Sequence, residues 1–166
     1  MEFEKLYHTH YPELYRFAYK LCLSDAESKD MVQDTFTKLF KELKSNAKFE
    51  NTRAWLYKVC LNLWRNKFNQ EKNREQLLEG SQQVEITSST PEKSFIEKEK
   101  RQLIFDTMNR LPEKDRQILY LYHEGLSYNE MAEVLDMNPL SVGKTLARSI
   151  QKFKLQLKKE HYELFE

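Results

Sequence analysis

Leu126–Phe153, LSYNEMAEVLDMNPLSVGKTLARSIQKF, is the stretch whose reading decides the fold. Gly125, just ahead of it, can adopt the left-handed conformation that ends a helix. Ser127 followed three residues later by Glu130 has the form of a capping box, so a new helix starts there. Ala132 is small where two helices would cross closely, and Leu135 is apolar. Asp136, Met137 and Asn138 then make a short turn, and Pro139 suits the first position of another helix. In that helix Val142, Leu146, Ile150, Phe153 and Leu157 recur at spacings of four, four, three and four, forming one apolar stripe. At about 100° per residue, Ser141, Thr145, Arg148 and Lys152 fall together on the other side, with Lys144 at their edge. Two short helices joined by a tight turn, the second polar and basic outward, make the pattern of a helix-turn-helix.

Charge sharpens this reading. From Leu140 to Lys159 the charged residues are Lys144, Arg148, Lys152, Lys154, Lys158 and Lys159, with no acid among them. From Glu124 to Asp136 they are Glu124, Glu130, Glu133 and Asp136. The solvated face of an ordinary bundle helix usually mixes signs, whereas a one-signed face suits the phosphates of a major groove. The ordinary bundle helix remains the alternative. Net charge over the whole chain is only +1, which argues against a general nucleic-acid binder and makes the basic helix a local feature. Gly143 inside this helix costs about 1 kcal/mol relative to Ala. It permits close approach of DNA or of a neighbouring helix, or is simply a tolerated weakness.

The 166 residues contain 3 Gly and 4 Pro, too few turn formers for an all-β protein, and apolar residues recur at three and four. The expected fold is all-α, two small helical domains joined by a flexible linker, the second with the helix-turn-helix. No apolar run approaches the roughly 18 residues of a membrane span, and MEFEKLYHTH has no secretion-signal pattern. Cys22 and Cys60, far apart in helical patterns, fit reduced thiols. The expectation is a cytoplasmic protein without direct membrane insertion.

The first domain is expected over 1–73, a linker over 74–94 and the second domain over 95–166. Residues 3–23 form a helical pattern that Pro12 should kink or split. Ser24 and Asp25 are cap candidates for a helix stacking Val32, Phe36, Leu39, Phe40 and Leu43. SNAKFENT, Ser45–Thr52, is a loop. In the next helix Trp55, Leu56, Val59, Cys60 and Leu63 form the inward arc, with Tyr57, Trp64 and Phe68 at its margins. Lys58, Asn62, Arg65 and Asn69, spaced four, three and four, line the opposite face. Cations for phosphates beside flat and polar groups for exposed bases suit single-stranded DNA. The competing reading places these aromatics mostly in the core, Trp55 above all. The stretch 75–94 is polar, rich in Ser and Thr, and broken by Gly80 and Pro91, with little apolar surface to order it.

Taken in order, DMVQDTFTKLFKEL, RAWLYKVCLNLWRNKF, LPEKDRQILYLYHEGLSYNEMAEVL and SVGKTLAR resemble the conserved regions of small bacterial sigma factors of the sigma-70 family. The resemblance is to the extracytoplasmic-function group, which keeps the second and fourth regions, and it spans nearly the whole chain except the linker. It implies a subunit that joins core RNA polymerase and directs transcription from promoter DNA. Gln33, Asp34, Thr37, Lys38 and Lys41 then match the polymerase-docking helix. Asn62, with Lys58, Arg65 and Asn69, matches the face that melts the minus-10 element. Ser141, Lys144, Thr145, Arg148 and Lys152 fall where the minus-35 element is read. An anti-sigma partner is implied as well. Many members carry T-V-K-S-R where this chain has S-V-G-K-T at Ser141–Thr145, so the positive charge here moves to Lys144.

No glycine-rich phosphate loop, nucleophile elbow or paired Cys motif occurs. His8 and His10, two apart, point to different sides of a helix and do not suggest a metal site. The expectation is therefore no catalytic residue, no metal and no cofactor. The rival readings are a DNA-binding regulator with an N-terminal sensing domain, which leaves DMVQDTF unexplained, and a helical adaptor.

Overall fold

The computed structural model describes residues 1–77 and 95–160. Among these, seven α-helices and no strand occur: α1 (Glu2–Cys22), α2 (Asp25–Lys44), α3 (Thr52–Leu77), α4 (Phe95–Asn109), α5 (Glu113–His123), α6 (Tyr128–Leu135) and α7 (Pro139–Glu160). They fall into two compact units, α1 to α3 in one and α4 to α7 in the other. α3 continues to Leu77, beyond the expected end of the first domain at Asn73. The remainder of the expected linker, 78–94, lies outside the described residues.

In the first unit α1 is not split at Pro12; it runs without interruption from Glu2 to Cys22. Pro12 is exposed, and its missing N–H withdraws one bond from the ladder. The turns beyond it bury Leu14, Phe17, Ala18 and Leu21, and that packing outweighs the local defect. Leu23 ends the helix at φ 51°, a strained value for a residue with a Cβ. Its N–H donates to Tyr19 O at 2.7 Å, and its side chain is buried, which holds the turn. Ser24 then caps α2, its hydroxyl accepting from Glu27 N–H. α2 buries Met31, Val32, Phe36 and Leu39 together with the polar Ser28 and Thr35. Those two hydroxyls donate to the carbonyls of Ser24 and Met31 one turn back, at 2.6 and 2.8 Å, so neither is left unsatisfied.

α3 differs in phase from the expected arc. Its buried side is Ala54, Leu56, Tyr57, Cys60, Leu61 and Trp64. Tyr57 is in the core rather than at the margin, its ring 4.9 Å from that of Phe17. Trp55 is only half-buried, resting on Phe49 of the preceding loop at 4.9 Å. The helix packs against both α1 and α2, so two adjacent sides must be apolar. Its first turn is tied to α1 by Arg53, which donates through Nη2 and Nε to Glu13 Oε2 at 2.9 and 3.0 Å.

In the second unit Met108, Leu111, Ile118, Leu121, Leu126, Met131, Val134, Val142 and Leu146 form the core. The local signals act as read. Gly125 takes φ 79°. Ser127 Oγ accepts from Glu130 N–H at 3.1 Å while Glu130 Oε2 accepts from Ser127 N–H at 2.8 Å, completing the capping box. Asp136 closes α6 at φ 52°, and Asn138 Oδ1 accepts from Leu140 N–H at 2.9 Å as α7 opens on Pro139.

Candidate nucleic-acid interface

The helix α7 is divided lengthwise. Val142, Leu146 and Ser149 are buried on its inner side. Ser141, Lys144 and Arg148 are exposed, and Thr145 is half-buried between the two sides. Among the described residues neither Lys144 nor Arg148 has an ion-pair partner. Lys152 is different: its ammonium lies 2.9 Å from Asp115 Oδ2 on α5, so this cation is held within the unit. Gly143 has a neighbour too. A Cβ there would stand 3.3 Å from Cε2 of Tyr128, the first residue of α6, so the glycine accommodates a ring from the adjoining helix.

On α3, Asn62 and Asn69 are exposed while Lys58 and Arg65 are half-buried. Arg65 Nη1 donates to Asn62 Oδ1 at 3.1 Å, coupling two neighbours on that face. Trp64 is buried and stacks with the half-exposed Phe68 at 5.1 Å. Thus the polar face is continuous along the helix, and the half-exposed Phe68 adds flat surface near it. Lys67 Nζ reaches Glu27 Oε1 at 3.1 Å and ties α3 to α2.

Gln33, Asp34, Thr37, Lys38 and Lys41 are all exposed on α2, opposite its buried side. The sequence reading did not separate out what lies beside them. Phe3, Tyr7 and Tyr11 of α1 and Phe36 and Phe40 of α2 line an open groove of about 580 Å³, which Gln33 and Thr37 also border. The spacing of aromatics by four at Phe3, Tyr7 and Tyr11 is the signal in the sequence that could have found this groove. Asp115 and Tyr128 were also missed. Ser149, a polar residue on the apolar stripe between Leu146 and Phe153, was the one hint of a buried polar partner.

Comparison with known proteins agrees with this division. The family model for sigma-70 region 2 matches residues 6–74, and that for sigma-70 region 4 matches residues 101–153. The chain belongs to the sigma-70 family and carries the two regions kept in its extracytoplasmic-function members. It is 28% identical over 117 residues to the ECF RNA polymerase sigma-E factor of Haemophilus influenzae, covering 64% of this chain and 62% of that protein. It is 28% identical over 160 residues to the RNA polymerase sigma factor YlaC of Bacillus subtilis, covering 94% and 90%. Among solved structures, the sigma factor RpoE in complex with the anti-sigma factor NepR from Bartonella quintana shares the fold with a TM-score of 0.73. That alignment covers 95% of this chain and 97% of the other at 20% identity. CnrH, solved with the cytosolic domain of CnrY, gives a TM-score of 0.69 at 21% identity over 95% of this chain and 88% of the other.

Proposed function

We propose that this chain is a sigma factor that binds core RNA polymerase and directs promoter-specific initiation, reading the minus-35 element with its second unit and melting the minus-10 element with its first. The observation that carries the reading is the match of region 2 and region 4, in that order, each to one of the two helical units. The faces give the proposal its chemistry. Ser141, Lys144, Thr145 and Arg148 on α7 present donors and cations suited to base edges and phosphates. Asn62 and Asn69, with Lys58 and Arg65, offer amides and cations for a displaced strand. Gln33, Asp34, Thr37, Lys38 and Lys41 form the polymerase-docking face. The chemistry of RNA synthesis belongs to the polymerase, and the chain works in the cytoplasm. An anti-sigma protein is a partner by analogy with the RpoE–NepR complex.

The test is transcription with purified bacterial core polymerase, this protein and fragmented genomic DNA from its source. Initiation at discrete sites is expected, weakened at least tenfold by Asn62→Ala and by Arg148→Ala, about 1.4 kcal/mol each. Core binding without initiation at any site would contradict the proposal and leave a helical adaptor.

A further inference from the structure

By position alone Lys152 belongs to the outward arc of α7, one turn beyond Arg148. Its environment says otherwise. The carboxylate it meets, Asp115, sits in the first turn of α5 with a side chain only 8% exposed. One oxygen of that carboxylate accepts from Lys152 Nζ at 2.9 Å, the other from Ser149 Oγ at 2.6 Å. Ser149 is fully buried, and its hydroxyl has a single proton. Its contact with the Thr145 carbonyl is longer, 3.0 Å, so the proton goes to the charged acceptor. Asp115 therefore grips two residues of α7 nearly one turn apart.

The energetics keep it so. The Lys152 side chain is itself 53% exposed, but Asp115 is almost wholly buried, and a carboxylate so placed loses more when stripped of its cation than an exposed one would. If Lys152 swung out to a phosphate, Asp115 would be left with one hydroxyl and the N-terminal end of α5. We infer that Lys152 is a positioning residue and not a DNA contact: Asp115 holds Lys152 and Ser149, fixes the seating of α7 on α5, and removes one positive charge from the DNA-facing side. The inference rests on the reading of α7 as DNA-facing only for its consequence, not for the pair itself.

The experiment has two arms on the intact chain. In the first, binding of a fluorescent mixed-sequence DNA duplex is followed against salt at low ionic strength. Each phosphate contact contributes about 0.9 to the slope of log K against log salt. Arg148→Ala should lower the slope by about that amount, Lys152→Met should leave it at the wild-type value, and Asp115→Asn should steepen it only while Lys152 is present. In the second arm, urea midpoints of Asp115→Asn, Lys152→Met and the double variant should be non-additive. A Lys152→Met slope falling as far as that of Arg148→Ala, or additive midpoints, would overturn the inference. A silent Arg148→Ala with non-additive midpoints would uphold the pair and remove the DNA-facing reading of α7 instead.

Discussion

Replacing Gly143 by Ala sets two effects of known size against each other. Gly143 lies in the interior of α7 and is not among the residues with positive φ, so alanine fits its backbone. Helix propensity alone favours the alanine by about 1 kcal/mol. Against this, the new methyl carbon would stand 3.3 Å from Tyr128 Cε2, inside an ordinary carbon–carbon contact. Tyr128 is 49% exposed, so its ring can swing away. A full 30° departure from a rotamer costs about 0.5–1.5 kcal/mol, and the few tenths of an ångström needed here cost about a third of that. The balance is a gain of about 0.5–0.8 kcal/mol. For a unit of this size it raises the midpoint by about 2–6 °C. The assay must follow the second unit. Both tryptophans, Trp55 and Trp64, lie in α3 of the first, so indole fluorescence is blind to it and tyrosine absorbance or circular dichroism is required. With Tyr128→Ala as background the obstacle is gone, and the gain from Gly143→Ala should approach the full 1 kcal/mol or so. A lowered midpoint for Gly143→Ala, or an equal effect in both backgrounds, would refute the contact as the reason for the glycine.

Glu13→Gln should destabilise the first unit by about 1–2 kcal/mol at neutral pH, between an exposed and a buried ion pair. Burial pushes the Glu13 carboxyl up, but hydrogen bonds from Arg53 and His10 outweigh it and leave it below its ordinary 4.5. The stabilisation is thus present above about pH 4.5 and lost as pH falls through the lowered value, so wild type and variant should converge in acid unfolding. Ser127→Ala removes one half of the capping box and should cost the second unit about 1 kcal/mol in urea unfolding. Burial, with the Glu27 charge second, pushes the Cys22 thiol up to about 12, and burial also raises Cys60 strongly. Neither thiol should react appreciably with a disulfide reagent at pH 8 until urea is added; prompt native labelling of both would contradict the packing around Cys60. Finally, the free protein at nanomolar concentration and physiological salt should give no promoter-specific gel shift, and such a shift without polymerase would count against two weak units acting together.

Legibility in the sequence followed the range of the interactions involved. The helix-turn-helix was readable because each of its boundaries is set by chemistry within four residues: Gly125 ends α5, Ser127 and Glu130 cap each other, and Pro139 opens α7. Where burial decided, local rules failed. Pro12 was expected to kink or split α1, yet the helix is not split, with Leu14, Phe17 and Leu21 buried beyond it. The phase of α3 was misjudged because AWLYKVCLNLW, Ala54–Trp64, is apolar around most of its circumference. A helical wheel cannot choose between Trp55 and Tyr57 for the core; packing against α1 and α2 chooses Tyr57. The proposed site shows the same limit, since exposure of Asn62, Lys144 and Arg148 follows from periodicity, whereas Lys152 is claimed by Asp115 from 37 residues away.

That last partner bears on how an almost neutral chain would act on DNA under the proposed function. A helix offering every cation to phosphate would bind any duplex, because phosphate contacts carry no sequence information. Here one cation of the basic run, Lys152, is committed to a buried acid, and the exposed cations nearest the start of α7 are Lys144 and Arg148, interleaved with the hydroxyls of Ser141 and Thr145. Hydroxyls discriminate among bases only when the helix is held at a fixed depth and angle. Asp115 on α5 and Tyr128 of α6 against Gly143 supply that hold, and the capping box fixes the start of α6. Under the proposed function, rigid presentation would suit a protein whose grip on a promoter is completed by joining a second DNA-facing unit and a polymerase, not by its own charge.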